Sequence, residues 1–155
     1  DAVWLHFEGA TYSLDNIEVG SQLAFATPYG LGCGATPVGV RGLAGPVVGS
    51  IGSFELFDLP PTATIGLGLI GVMPSFTGFD LGPIGMSGCS LYHLQTVATS
   101  GFAVLGSTAQ VLVSIPANPS LTGVRIYTQG AVLAPGENQL GVVTSNGLIW
   151  PIGLR

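Results

Sequence analysis

The hexapeptide Gly66-Leu-Gly-Leu-Ile-Gly71 spells the glycine spacing of a dinucleotide-binding turn. That turn works by aiming the N-terminus of a following helix at a pyrophosphate, and Pro74, three residues on, forbids the helix. The spacing reads instead as a strand from Thr64 to Met73, in which Ile65, Leu67 and Leu69 oppose Gly66, Gly68 and Ile70. A bare glycine face of that kind is expected to lie under another backbone or a large side chain. His6 and His93 are the only histidines, and neither has a metal-ligating neighbour in sequence. Ser87, in Gly85-Met-Ser-Gly88, misses the spacing of a nucleophile elbow. Glu55 with Asp58, or Asp80, supplies the carboxylates of a glycosidase, but that chemistry also requires a cleft with aromatic platforms. Solubilising charge on strand edges is the simpler reading of all three. No stretch follows the calcium-loop pattern. The expectation is a protein with no catalytic, cofactor or metal site, not an enzyme.

One binding constellation remains. Trp4, Tyr12, Tyr92, Tyr127 and Trp150 would make a sugar-stacking platform if several shared a face. Tyr92 and Tyr127 fall on the polar faces of their strands, and Gln129 follows Tyr127 at the same period of two. These three form the candidate ligand face, with glycans as the partner to expect.

The elements that carry these residues follow from composition. With 25 glycines and 11 prolines in 155 residues, helices of several turns have almost nowhere to form, and short strands joined by turns are favoured. A hydrophobic content of 47% and a mean hydropathy of +0.62 separate the chain from disordered Gly/Pro-rich segments. Only 7% of residues are charged, against about a quarter in an average soluble domain, and there is no lysine. So neutral an exterior points to a surface covered by partners or by copies of the chain itself. A net charge of −5 sets aside nucleic acid and anionic membranes, which need clustered Lys and Arg. The longest uncharged runs, Leu59 to Phe79 and Leu81 to Val124, are broken by prolines, glycines and amides, so neither reads as a membrane span. A start at Asp1, with no methionine or leader, is what a processed, exported chain would show. Cys33 and Cys89, an even count in such a chain, read as one disulfide.

Along the chain, Ala2 to Glu8 alternates Val3, Leu5 and Phe7 with Trp4, His6 and Glu8, and Ser21 to Thr27 alternates again. Residues 1–28 are read as an N-terminal strand arm and 29–155 as the folded domain. Tyr29 to Gly34 loops to present Cys33, Val38 to Val48 holds weak strands around a turn, and Ser53 to Leu59 is a firmer strand ended by Pro60-Pro61. Leu81 to Gly88 is rich in turns and leads to a short strand at Cys89 to Leu94. Gly101 to Gly106 reads as a turn or short edge piece before the strand Thr108 to Ile115. Leu121 to Leu133, with Val124, Ile126 and Thr128 opposing Arg125, Tyr127 and Gln129, is the central strand. Asn146-Gly147 is placed as a hairpin turn between Leu140–Ser145 and Leu148–Ile152. The fold class is all-β: a single antiparallel β-sandwich, Ig-like or jelly-roll-like, of about eight to ten strands.

Tyr29-Gly-Leu-Gly-Cys33, Gly85-Met-Ser-Gly-Cys-Ser-Leu-Tyr92, Ile115-Pro-Ala-Asn-Pro-Ser-Leu-Thr-Gly123 and Pro135-Gly136 are spaced motifs, joined by Tyr127, Gln129, Gly141 and Ser145-Asn146. Over about residues 29–153 the chain resembles an uncharacterised β-rich domain of large secreted proteins from planctomycete-like and myxobacterium-like bacteria. The resemblance implies an extracellular module with a paired Gly-Cys framework and no assigned activity, and it carries over no catalytic residue. The arm lies outside it.

Together these readings lead to one expectation: an extracellular or cell-surface structural subunit that assembles with copies of itself into a filament or surface layer. Val3, Trp4, Leu5 and Phe7 are the assembly residues, donated as a strand to a neighbour's sheet edge. The rival expectation is a secreted adhesion or carbohydrate-binding sandwich whose arm pairs within its own sheet.

Overall fold

The structure, a computed structural model, describes residues 4–7, 10–13 and 26–153. Eleven strands occur among them: β1 (Trp4–Phe7), β2 (Ala10–Ser13), β3 (Thr27–Tyr29), β4 (Gly39–Ala44), β5 (Ile51–Phe57) and β6 (Ile65–Asp80), then β7 (Ser90–Ala103), β8 (Ala109–Ser114), β9 (Arg125–Leu133), β10 (Val142–Thr144) and β11 (Gly147–Pro151). All their ladders are antiparallel. The main sheet runs β3-β11-β9-β6-β7, with β10 also paired to β9, and the small sheet runs β4-β5-β8. β1 and β2 pair with each other, Trp4 opposite Ser13 and Phe7 opposite Ala10. Of the arm, Val3 and most of the run from Ser21 to Thr27 lie outside the described residues.

The two larger sheets pack as a sandwich because one face of each strand is apolar. Phe54 and Leu56 of β5 and Val111 and Val113 of β8 are buried against the main sheet's Ile126, Val132 and Trp150. Phe54 meets Trp150 edge-on, ring centroids 6.1 Å apart. Each such side chain contributes about 1.5–3 kcal/mol when fully buried. The glycine face expected on β6 is real. A Cβ on Gly68 would sit 2.5 Å from Val111, and one on Gly130, in β9, would run into Leu56. Glycines at these two positions let the sheets approach.

β9 is central, as its alternation indicates, but starts at Arg125 instead of Leu121. The Asn118 side chain accepts from the Ser120 N–H and turns Pro119–Leu121 into a 3-10 segment before the strand begins. The base of β6 pairs with β9 from Ile65 to Gly71, and β6 pairs with β7 as far as Pro74 and again at Phe79 and Asp80. Pro74 is tolerated because the β9 ladder has already ended, so no neighbour on that side requires its N–H. Gly101–Ala103 is likewise part of β7, not a turn. Four residues, Ser75–Gly78, bulge between the pairs Pro74–His93 and Phe79–Leu91. There the hairpin folds back over its own base, since Gln129, paired to Leu69 in the sheet, reaches Ser90 and Tyr92 with its side chain.

Asn146-Gly147 is not a hairpin turn. β10 pairs with Ala131–Leu133 and β11 with Arg125–Thr128, so the two are one strand beside β9, interrupted by a bulge. Side chains take over the ladder there. Ser145 Oγ accepts from the Gly130 N–H at 2.9 Å, and Asn146 Oδ1 accepts from the Val40 N–H at 2.8 Å.

Candidate functional site

Two constructions stand out above the plain sandwich: a buried brace under the folded-back hairpin, and an open groove along one side.

The brace is centred on Gln129. Its Oε1 accepts from the Tyr92 N–H at 2.9 Å, and its Nε2 donates to the Ser90 and Ser145 carbonyls, both at 2.7 Å. Thr144 Oγ1 also donates to Ser90 O. Beside it the disulfide Cys33–Cys89 joins the loop after β3 to the start of β7, with Cα atoms 5.0 Å apart. Tyr29 donates to Tyr92 O at 2.6 Å, and the Tyr92 hydroxyl accepts from the Leu31 N–H at 3.0 Å. Tyr29 stands edge-on to Tyr92, Tyr127 and Phe76. Burial, aided by the neighbouring phenols of Tyr127 and Tyr92, pushes the Tyr29 hydroxyl up to about 12.

This geometry corrects the reading of Tyr92, Tyr127 and Gln129 as a ligand face. Tyr92 and Tyr127 are each only 7% exposed and Gln129 is 0% exposed. The period of two placed the side chains on one face correctly, but in this fold the hairpin tip covers that face. Cys33 and Cys89 stand paired as expected. For Trp4, Leu5 and Phe7 the structure describes the backbone pairing with β2, and Val3 lies outside the described residues. His93 is buried, with Nε2 3.0 Å from Thr96 Oγ1 and Nδ1 without a partner, and burial lowers its pKa below the usual 6.5. Glu55 lies on β5, the central strand of the small sheet and not an edge, and is tied to Arg41 of the edge strand β4, Nε to Oε2 2.7 Å, while Asp80 Oδ1 caps its own turn by accepting from the Gly82 N–H.

The groove lies between β7 and β8, each the last strand of its sheet. The two strands are joined by the short connection 104–108 and enclose a cavity of about 550 Å³. Its floor is buried Ile70, Val113 and Ile126, and its rim is Val72, Val97 and Leu112, which are 43%, 60% and 57% exposed. Val97 is the extra residue where the β6–β7 register shifts, Ile70 opposing Ala98 but Gly71 opposing Thr96. The bulge turns an apolar side chain out beside the groove. No charged residue occurs from Leu81 to Val124, which takes in both edge strands and their connection. Sequence reasoning identifies that run but cannot place it on two adjacent edges, because β7 is indistinct beyond Leu94.

Compared with known proteins, the chain matches no family model and no curated protein.

Proposed function

We propose that the chain is a non-enzymatic, extracellular structural subunit that assembles with copies of itself into a filament or surface layer, the N-terminal arm supplying a strand to a neighbour. The observation that carries this reading is the pair of uncharged, apolar-rimmed sheet edges at β7 and β8. Exposed edges of monomeric sheet proteins are blunted by charge, proline or shortness, and β7 and β8 run for fourteen and six residues with no charge between them. Such edges persist in a functional protein when something covers them. The arm supplies a strand with alternating Val3, Leu5 and Phe7, and a two-stranded β1–β2 sheet is by itself marginal in water. The disulfide fits an oxidising compartment. Among the described residues no helix is long and apolar enough to cross a membrane.

Electron microscopy of the unaltered chain beside Leu5→Asp tests the proposal. Regular polymers that vanish in Leu5→Asp, with the fold kept, support it. Compact monomers from the unaltered chain over the whole concentration range overturn it.

A further inference from the structure

We propose that the groove between β7 and β8 is the acceptor for β1 of a second copy, which lies along the open edge of β8 with Val3, Leu5 and Phe7 directed into the groove. This rests on the self-assembly reading and gives it a site and a direction.

Three observations select this occupant. The first is fit. Val3 to Phe7 spans about 13 Å as a strand, against about 17 Å for the six residues of β8. Its alternate apolar side chains would meet a floor of Ile70, Val113 and Ile126, and the backbone groups on the open side of β8 would gain partners.

The second is charge. The donor segment is uncharged from Ala2 to Phe7 and flanked by Asp1 and Glu8, and the first 25 residues hold four carboxylates and no cation. The groove walls are uncharged, and the first cation beyond them is Arg125, next to the groove residues Val124 and Ile126. Arg125 alternates with the groove-lining Val124 and Ile126 and so lies off the opposite face of β9, which leaves an uncharged donor strand to meet uncharged walls with no charge buried unpaired.

The third is where the arm joins the fold. It enters at β3, and across the main sheet Pro28 of β3 and Ala98 of β7, which lines the groove, stand four strand spacings or about 19 Å apart. A strand leaving one side of the sandwich and docking on the other makes a head-to-tail contact. Such contacts repeat into filaments when they do not close into rings.

The test mixes two full-length chains, one carrying Leu5→Cys and the other Val97→Cys, under mild oxidation, with Ile65→Cys as the control acceptor. Ile65 is 58% exposed, much like Val97, but lies outside the groove. The expected result is a covalent dimer with the Val97→Cys chain and none with the Ile65→Cys chain, together with loss of polymer in full-length Val97→Asp that melts like the unaltered chain. Polymers that form equally well from Val97→Asp, and a Leu5→Cys chain that cross-links to Ile65→Cys no less than to Val97→Cys, overturn the groove while leaving self-assembly standing. If Val97→Asp fails to fold, the cross-link alone decides. An unaltered chain that stays monomeric removes the self-assembly reading and the groove with it.

Discussion

At the side formed by β3 and β4, the main sheet ends in three residues with Pro28 in the middle, and the small sheet ends in a strand whose register slips between Gly42 and Ala44. Arg41 projects from that strand, paired with Glu55 and lying over the Phe57 ring at 5.4 Å. At the side formed by β7 and β8, neither strand carries a charge or a proline. The first side uses shortness, proline, a bulge and charge, the usual means of keeping a sheet from growing, and the second uses none of these except one bulge, which displays Val97. One molecule thus has a side blunted by charge, proline and shortness and a side left without them. With so few charges in the chain, their placement carries meaning: both cations among the described residues lie outside the run that forms the open side.

The sharpest way to break this contrast is to put the same charge on each side. Leu112, on β8, and Leu43, on β4, are 57% and 51% exposed. Leu112→Lys is expected to abolish polymer formation, and Leu43→Lys to leave it intact. As surface changes, both should alter monomer stability by only about 0.5 kcal/mol. Sedimentation and denaturant melts of the two variants side by side provide the check, and equal loss of polymer in both would erase the distinction between the sides.

The next largest effect concerns how the open side is held. β7 begins at a hairpin tip that folds back over the main sheet, and the Cys33–Cys89 bridge pins it across 56 residues of sequence. Replacing both cysteines with alanine should cost about 4 kcal/mol, the entropy of the loop released in the unfolded chain. A denaturant midpoint unchanged by the double replacement would contradict this. Gln129→Leu should cost about 3 kcal/mol, since it strands the Tyr92 N–H and the Ser145 carbonyl in a dry interior, while the Ser90 carbonyl keeps only the Thr144 hydroxyl. Hydrogen exchange would show the loss first in β7 and last in β4, which has no bond to Gln129.

The contrast between sides also marks what the sequence makes legible. Strands β5 and β8 are plain from their alternation, and the disulfide from an even cysteine count. Central β9 is plain as a strand, but a period of two says only which residues share a face. It does not say whether that face meets water, and for a strand covered on both faces Tyr127 and Gln129 look polar-exposed when they are buried. The continuation of β6 through Pro74 is hidden because a proline is disqualifying only where a neighbour needs its N–H. Asn146-Gly147 misleads for a related reason. The dipeptide marks a break in the ladder, and whether the chain reverses there or bulges depends on β9, which offers both halves a partner. The groove is legible as an uncharged run of sequence but not as a place, since β7, one of its two walls, is indistinct beyond Leu94 in the alternation pattern.

The smallest effects expected are in acid and alkali, and they divide between the two sides. His93 sits on β7, held neutral by burial with its pKa below 6.5. Above pH 6.5 neither folded nor unfolded chain carries that proton, so the residue adds no pH dependence. Below it the unfolded chain takes up a proton that the folded chain refuses, and stability falls as the pH drops. Tyr29, on β3, is the mirror case. Its hydroxyl is raised from 10.0 to about 12, so its contribution is fully present below pH 10 and is lost as the pH climbs through 12. His93→Gln should therefore flatten the acid limb of a stability–pH profile and leave the alkaline limb alone, while Tyr29→Phe should do the reverse. Carboxylates common to all three chains cancel in the differences. If His93→Gln moved both limbs, the imidazole would be acting through the Tyr29 cluster, and the two sides of the sandwich would be coupled across the brace.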